Sequence, residues 1–471
     1  MRKLCILLLL LAPAPALAQT RADSALVGRI LAAEDRRDLT DAAIAAGLRH
    51  GDGRVRLIAR RALGRIRDPL FAARDSLAPV PAPPAWPEPA WRLRYRALAN
   101  QRENCGALRD ALADPLWQVR LHAADLVQPS CGGDSALVRV LTRWVDDLPR
   151  DASRRAAGGV SWHAAAHAEV ALARIAPNVA RARLPRLAAH ADWHVRMYAA
   201  RAAALLADTP RLHTLAGDPD GNVQEAAIDA LAKLVGHGAD EVYLRALRGD
   251  GAQAVRAAAI ALKGSPDPRV RVAANEAFER WVRRDNDSER DARVALLEAA
   301  GRPASDDRPP AARTEVPAEA VALALGKEVR VRVTMSPASG GGSFVVRLRG
   351  DVAPIMAARI LQLVRRGYYD GGNWHRVEPD FVIQGGGPGT NEYVGFDRYL
   401  RDELGTIAHP RGTVGMSTRA HDTGDAQWFI NLKDNPRLVR DYTVFAEVVE
   451  GIGAVDGILE GDVVASMREE R

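Results

Sequence analysis

The sequence has few cysteines, no long hydrophobic stretch after its start and no block of like charges. Only 3 of its 471 residues are cysteine. No later segment approaches the roughly 20 apolar residues that a membrane-spanning helix needs, so no transmembrane anchor is expected. The formal net charge of +6 is spread along the chain. Nucleic-acid binding is not expected, because it usually requires a concentrated basic patch.

The first 18 residues have the pattern of a secretory signal peptide. A basic start is followed by an apolar run over residues 4–11 and by small residues at 16–18. Residues 1–18 are therefore predicted to be removed after Ala18, which places the remaining chain in the periplasm or outside the cell. A membrane anchor is the alternative, but the apolar run is much shorter than a spanning helix. Arginine-rich, lysine-poor usage favours a bacterial periplasm.

Residues 19–300 contain an internal repeat in which an acidic, Gly or Pro turn precedes a Val-Arg or similar pair and then alanines and leucines at helical spacing. Val195, Val223 and Val255 recur at intervals that fit one antiparallel helix pair per unit. The region resembles HEAT-like repeats, which implies an all-α solenoid that binds an unidentified client or partner protein. Clear copies begin at Gly51, Asp114, Ala191, Pro219, Asp250 and Asp267.

Cys105 and Cys131 are the two cysteines that remain after removal of the signal peptide. One is expected to begin a helix and the other to follow its partner helix, and an antiparallel hairpin brings these ends together. In an oxidising compartment the pair could form a disulfide. Two free or buried thiols remain the alternative, because spacing alone does not define the bond geometry.

Residues 301–325 lose the helical periodicity and are predicted to be a linker. From residue 326 to 471 the apolar period changes from helical to two. Two alternating runs on either side of residues 336–343 predict an antiparallel hairpin, and Pro354 and Gly367 fit the first turn and the end of a following helix. Many short strands with few helices predict a closed antiparallel β-barrel with helices at its ends.

Three segments of this region resemble the cyclophilin family of peptidyl-prolyl cis-trans isomerases. They are WHRVEPDFVIQGGG at 374–387, MSTRAHDTGDAQWFI at 416–430 and YTVFAEVVEG at 442–451. The first places an arginine beside apolar residues and an amide, and its lone histidine, His375, has no triad partners in a recognisable arrangement. Such a site suits rotation about a bond rather than its cleavage. The resemblance implies proline-containing polypeptides as substrates and requires no cofactor and no metal.

The resemblance assigns roles to individual residues. Arg376 is the donor to the twisted amide and Gln384 a second catalytic residue. Three positions depart from the common family pattern, since Val382 replaces methionine, Thr418 replaces asparagine and Arg437 replaces an aromatic residue. The last change predicts weak binding of cyclosporin-like inhibitors. The remaining substrate-binding positions are Phe381, Val382, Ser417, Thr418, Gln427, Phe429, Leu438 and Tyr442.

Two functions of different classes follow from these patterns. The first is an exported peptidyl-prolyl isomerase that assists protein folding and uses the helical repeats to bind clients. The second is a periplasmic scaffold or holdase whose barrel binds proline peptides with little turnover. Binding of the arginine-rich repeats to an anionic envelope surface is a third possibility, which a steep decrease with salt would indicate.

Overall fold

The computed structural model describes residues 14–68, 80–149, 162–310, 315–389, 391 and 395–470, with side chains from residue 23 onward. Most of the predicted signal peptide lies outside these residues. The first helix described, α1 (Ala14–Arg36), spans the predicted cleavage position after Ala18. Within the described ranges, no helix is both long and apolar enough to cross a membrane.

The predicted helical repeats form two layers of antiparallel helices, which confirms the solenoid. The inner layer is a continuous stack in which each helix packs on the next inner helix, and the outer helices cover its back. The inner helices are α4 (Trp91–Ala99), α6 (Trp117–Leu126), α8 (Trp162–Ile175), α10 (Trp193–Leu205), α12 (Gly221–Val235), α14 (Ala252–Leu262) and α16 (Arg290–Ala299). The outer helices are α5 (Cys105–Ala111), α7 (Ser135–Asp146), α9 (Pro177–Ala188), α11 (Thr209–Leu215), α13 (Asp240–Ala246) and α15 (Arg269–Val282).

The acidic residues of the repeat act as helix caps. Asp192 and Asp220 accept hydrogen bonds from the backbone N–H groups of His194 and Asn222, at 2.9 and 2.8 Å. Each satisfies a donor that the first helical turn leaves unpaired. The alanines that follow are buried and allow α10 and α12 to pack closely within the inner layer.

Cys105, the first residue of α5, forms a disulfide with Cys131, which lies in a short 3-10 helix after α6. Their Cα atoms are 5.5 Å apart. The bond joins the start of one helix to the segment that follows its antiparallel neighbour, as the spacing of the repeat unit suggests.

The C-terminal region is one curled antiparallel sheet in the order β3-β4-β6-β5-β7-β2-β1-β8. Backbone hydrogen bonds between residues 371–374 and 461–464 join its two ends, which confirms the predicted barrel. Helices α18 (Pro354–Arg365) and α19 (Ile452–Asp456) accompany it. Its strands are β1 (Arg330–Met335), β2 (Ser343–Leu348), β3 (Arg376–Val377), β4 (Val382–Gly385), β5 (Thr413–Met416), β6 (Trp428–Asn431), β7 (Val444–Glu450) and β8 (Val464–Glu469).

The first three helices pack differently from the predicted arrangement. Helices α1, α2 (Ala42–Leu48) and α3 (Gly53–Arg67), which include the repeat copy at Gly51, share a hydrophobic core with the barrel and not with the other repeats. Within the predicted linker, α17 (Ala318–Ala324) buries Ala320 and Leu323 in the same core. Amphipathic helices can cover any apolar surface, and here that surface belongs to the barrel.

Candidate functional site

A row of side chains crosses the sheet on one face. In the strand register, Arg376 of β3 pairs with Gln384 of β4, Gln384 pairs with Phe429 of β6, and Phe429 pairs with Gly415 of β5. Directly opposed residues of antiparallel strands point to the same face. The sheet therefore places a guanidinium, an amide and an aromatic ring side by side.

The ring of Phe429 belongs to a small apolar cluster that is separate from the barrel core. Phe381, Val382 and Leu438 surround it, and Tyr442 meets it edge-on with ring centroids 5.4 Å apart. Leu438 comes from the short 3-10 helix Pro436–Leu438, whereas Val382 is part of β4. Together they form an apolar surface suited to a compact ring.

The polar side of the site is a chain of hydrogen bonds. Arg376 donates through Nη1 to Oε1 of Gln384 at 3.4 Å. Gln384 donates through Nε2 to Oγ of Ser417 at 2.8 Å and to Oε1 of Gln427 at 3.1 Å. Arg376 also pairs with the carboxylate of Glu378. The guanidinium is thus held in place while it remains at the edge of the apolar cluster.

Two more arginines lie at the rim. The guanidinium carbon of Arg437 is 4.4 Å from the centre of the Phe381 ring, whereas that of Arg376 is 5.9 Å away. Arg419 also faces the cavity and forms a 3.0 Å ion pair with Asp291 of α16 in the solenoid. Three arginines therefore lie around the entrance, and the repeat region contributes Asp291 to its edge.

His375, next to Arg376 in sequence, is a weak proton acceptor in this arrangement. Burial and the neighbouring positive charge of Arg376 lower the pKa of His375 to about 3, so the imidazole is neutral at physiological pH. No carboxylate or hydroxyl within the described ranges bonds to its ring nitrogens.

These groups enclose a cavity of about 250 Å³. Every predicted site residue lines this cavity except Gln427, which accepts a hydrogen bond from Gln384. Arg419 was not predicted, because a lone arginine in a loop gives no signal of its position. The ten lining residues are Arg376, Phe381, Val382, Gln384, Ser417, Thr418, Arg419, Phe429, Leu438 and Tyr442.

The solenoid also reaches the back of the site. Gln427 donates to the backbone carbonyl of Asn391 at 2.9 Å, and the Asn391 side chain donates to Oδ1 of Asn222 in α12 at 3.3 Å. Gln253 of α14 donates to the same oxygen at 3.2 Å. The amides that position Gln384 are thus connected to two inner helices of the repeats.

Two pairs of histidines four residues apart, His163 with His167 and His190 with His194, lie in the repeats, and each ring contacts another protein group. His163 contacts the backbone oxygen of Glu460, and His167 contacts Asp125 at 2.6 Å. His190 contacts the backbone oxygen of Pro149, and His194 contacts Asp192. In the described part of the chain, no group of three His, Cys, Asp or Glu side chains is placed so that it could hold a metal ion.

Comparisons with known proteins match the two regions separately. Residues 331–470 match the cyclophilin type peptidyl-prolyl cis-trans isomerase family, and residues 180–263 match HEAT repeats. A peptidyl-prolyl cis-trans isomerase of Helicobacter pylori is 32% identical over 27% of this chain and 80% of its own length. Peptidyl-prolyl cis-trans isomerase B of Bacillus subtilis is 34% identical over 28% of this chain and 92% of its own.

A solved structure of a cyclophilin type peptidyl-prolyl cis-trans isomerase from Cryptosporidium parvum was also found. It aligns with 31% of this chain and 98% of its own chain, at 21% identity and with a TM-score of 0.29.

Proposed function

Because this chain belongs to the cyclophilin family of peptidyl-prolyl cis-trans isomerases, we propose that the cavity beside Arg376 accelerates rotation about X-Pro bonds in exported polypeptides and so assists their folding. The observation that carries the proposal is the position of Arg376. It lies at the edge of an apolar cluster and in register with Gln384 and Phe429.

The chemistry follows from the electronic structure of the amide. Nitrogen shares its lone pair with the carbonyl, which gives a rotation barrier of about 18–20 kcal/mol and relaxation over tens to hundreds of seconds. In the twisted transition state this sharing is lost and the lone pair becomes available to a donor. A catalyst must therefore bind the twisted amide more strongly than either planar isomer.

The two halves of the cavity meet these requirements. Phe381, Val382, Phe429 and Leu438 provide an apolar seat that holds the proline ring while the rest of the chain turns. Arg376 directs a permanently charged, forked donor at the nitrogen whose lone pair is released. Each 1.36 kcal/mol of preferential stabilisation accelerates rotation about tenfold.

The polar wall fixes the peptide backbone. Gln384 is held by Ser417 and Gln427, so its amide is already oriented before substrate binds. Thr418 lines the same wall, and Tyr442 closes the opposite rim beside Phe429. Because the imidazole of His375 is neutral at physiological pH, the proposed reaction involves no proton transfer from this residue.

Export is supported by the N-terminal pattern and by the disulfide. The bond between Cys105 and Cys131 is of a kind that persists in oxidising compartments such as the periplasm. Expression of the full chain followed by fractionation and N-terminal sequencing should yield a periplasmic or secreted protein that begins at Gln19. A full-length cytosolic product would contradict export without affecting the isomerase assignment.

The decisive experiment compares cis-to-trans conversion of a proline peptide by the mature protein and by Arg376→Ala. Arg365→Ala is a matched control, since both arginine side chains are 38% exposed and both pair with glutamate, but Arg365 lies outside the cavity. The wild type and the control should accelerate conversion, whereas Arg376→Ala should lose most of the effect. A folded wild-type protein without acceleration would contradict the enzyme and favour the scaffold or holdase.

A further inference from the structure

A second and larger cavity lies between the solenoid and the barrel. Its volume is about 750 Å³, three times that of the proline cavity. The inner helices α8, α10 and α12 form one wall, and the barrel forms the other through His375, Arg376, Asn391 and Glu460. We refer to this space as the interdomain groove.

The solenoid wall is built from one face of each inner helix. On α10 the lining residues are Trp193, Met197, Arg201, Ala204 and Leu205, which follow helical spacing. Residues at these intervals share a helix face. The groove therefore follows the repeat architecture and is not an isolated defect in packing. On α12 the corresponding residues are Asn222, Glu225, Ala226, Asp229, Ala230, Lys233 and Leu234.

The surface of this wall is largely apolar. Leu205 and Leu234, which both line the groove, are 48% and 40% exposed. Ala226 and Ala230 of α12 also line the groove, and their small side chains let another chain approach the helix closely. The groove therefore exposes more apolar than polar surface, as sites that bind apolar groups do.

The charges in the groove do not favour a strongly charged ligand. Besides Arg376, three basic and three acidic side chains line it, and several are already engaged. Glu460 accepts a 2.8 Å hydrogen bond from Tyr198, and Arg201 lies 4.4 Å over the ring of Tyr198. A polypeptide with apolar side chains fits this surface better than a polyanion.

Arg376 connects the two cavities, because it lines both the proline cavity and the interdomain groove. A proline ring bound against Phe429 has peptide on both sides of it, and this peptide must leave the 250 Å³ cavity. The groove begins at the guanidinium of Arg376 and offers a path for the peptide that flanks the proline. This continuity identifies the occupant as the substrate polypeptide.

We propose that the interdomain groove binds an extended, apolar segment of the client next to the X-Pro bond that the barrel isomerises. The inference rests on the proposed isomerase function and adds the substrate class. Clients are unfolded polypeptides with leucine-like side chains close to the proline, and Leu205 and Leu234 are the residues that select them.

Three peptides test this proposal with the full mature protein. The first is a short Ala-Pro-containing tetrapeptide, the second extends it on both sides with leucine-rich residues, and the third extends it with glycine and serine. We expect KM for the leucine-rich peptide to be about tenfold lower than for the Gly/Ser peptide, the effect of burying one large apolar side chain.

Leu205→Asp and Leu234→Asp should abolish the preference for the leucine-rich peptide while leaving kcat/KM for the tetrapeptide unchanged. Ile260→Asp is the matched control, because Ile260 is 49% exposed on α14 and does not line the groove. Leu205→Ser is a milder change if an aspartate prevents folding. Equal KM values for the two long peptides, or a preference that survives both substitutions, would overturn the proposal.

Fluorescence anisotropy with labelled peptides separates this proposal from the isomerase assignment, because it needs no turnover. If the tetrapeptide is not isomerised but the leucine-rich peptide still binds through Leu205 and Leu234, peptide binding by the groove is supported and the isomerase assignment is contradicted. A second copy of the chain is the competing occupant. A wild-type dimer that Leu205→Asp converts to monomer in sedimentation would overturn the proposal in favour of self-association.

Discussion

Gly415 and Phe429 are direct partners across β5 and β6, and the ring of Phe429 lies against the backbone of Gly415. A Cβ atom added at Gly415 would be 2.3 Å from Cζ of Phe429, too close for two carbon atoms without movement. The Phe429 ring can therefore lie this deep in the proline cavity only because Gly415 has no side chain. The family motif around Ser417 and Thr418 does not reveal this dependence.

Gly415→Ala should push the Phe429 ring outward and lower the folding stability by about 1–3 kcal/mol, the typical cost of overpacking. The displaced ring should also reduce kcat/KM for a proline peptide by roughly tenfold, which corresponds to about 1.4 kcal/mol in the activation free energy. The barrel should remain folded, because the ring can move toward solvent. Gly453→Ala is the control, since a Cβ there meets open space. Equal activity of Gly415→Ala and wild type would show that the depth of the ring is unimportant.

Arg437 covers Phe381 at the position where the family commonly has an aromatic residue, with its guanidinium carbon 4.4 Å from the ring centre. Arg437→Trp should raise the affinity for a cyclosporin-like inhibitor by about tenfold or more, as a large aromatic surface becomes available for burial. Turnover of a short peptide should change little. Calorimetry measures the affinity, and unchanged binding would show that other positions prevent it.

The site residues could be assigned from the family resemblance, because the motifs that carry it lie in three continuous segments of the chain. The structure adds the strand register, which places Arg376, Gln384 and Phe429 side by side. The helix caps at Asp192 and Asp220 were predictable for the same reason, since a cap is local.

Packing partners could not be read from the same patterns. The repeat copy at Gly51 and the one at Asp267 have similar sequences, but α3 packs on the barrel and α15 lies in the outer layer of the solenoid. An apolar stripe shows which side of a helix is buried without identifying the surface that covers it. For this reason, the interdomain groove could not be predicted from the sequence.

The stability of the barrel should depend on the ionisation of Glu403. Its carboxylate accepts the backbone N–H groups of Ile355 and Met356 at the start of α18, near Arg65, but burial raises its pKa from 4.5 to about 7. A raised pKa means that the folded state binds the proton more tightly than the unfolded chain. This contribution is present below pH 4.5 and is lost as the pH rises through 7.

In the wild type, Glu403 should make the unfolding free energy decrease between pH 5 and 7. In Glu403→Gln this decrease should be smaller, because the side chain no longer ionises. Glu34 contributes in a different window, because its lowered pKa affects stability only at more acidic pH. Denaturant unfolding at several pH values measures the difference between the two proteins. Parallel pH curves for wild type and variant would contradict the assignment.

The disulfide should stabilise the repeat region without affecting catalysis. Cys105 and Cys131 are 26 residues apart in sequence, and closing a loop of this size typically stabilises a fold by about 2–4 kcal/mol. Reductant should lower the Tm of the wild type but not that of a Cys105→Ala, Cys131→Ala double variant. Isomerisation of a short peptide should be the same with or without the bond, since neither cysteine lines the proline cavity.

Arg92 of α4 should be essential for docking of the solenoid on the barrel. Its side chain is fully buried and donates to the backbone carbonyl of Pro379 and to Asp456, each at 2.8 Å. Arg92→Ala should cost about 3 kcal/mol, the lower end for breaking a buried pair, because Asp456 keeps its second partner Arg411. Denaturant unfolding measures this loss.

Arg94→Ala is the matched control for docking, since Arg94 lies on the same helix but its side chain is 47% exposed and pairs with Asp114 within the solenoid. Only Arg92→Ala should also raise KM for a proline peptide, because Pro379 lies two residues before Phe381 in the apolar seat. If both variants lose equal stability, docking does not depend on the buried arginine. If Arg92→Ala loses stability but keeps its KM, the seat is rigid without support from the solenoid.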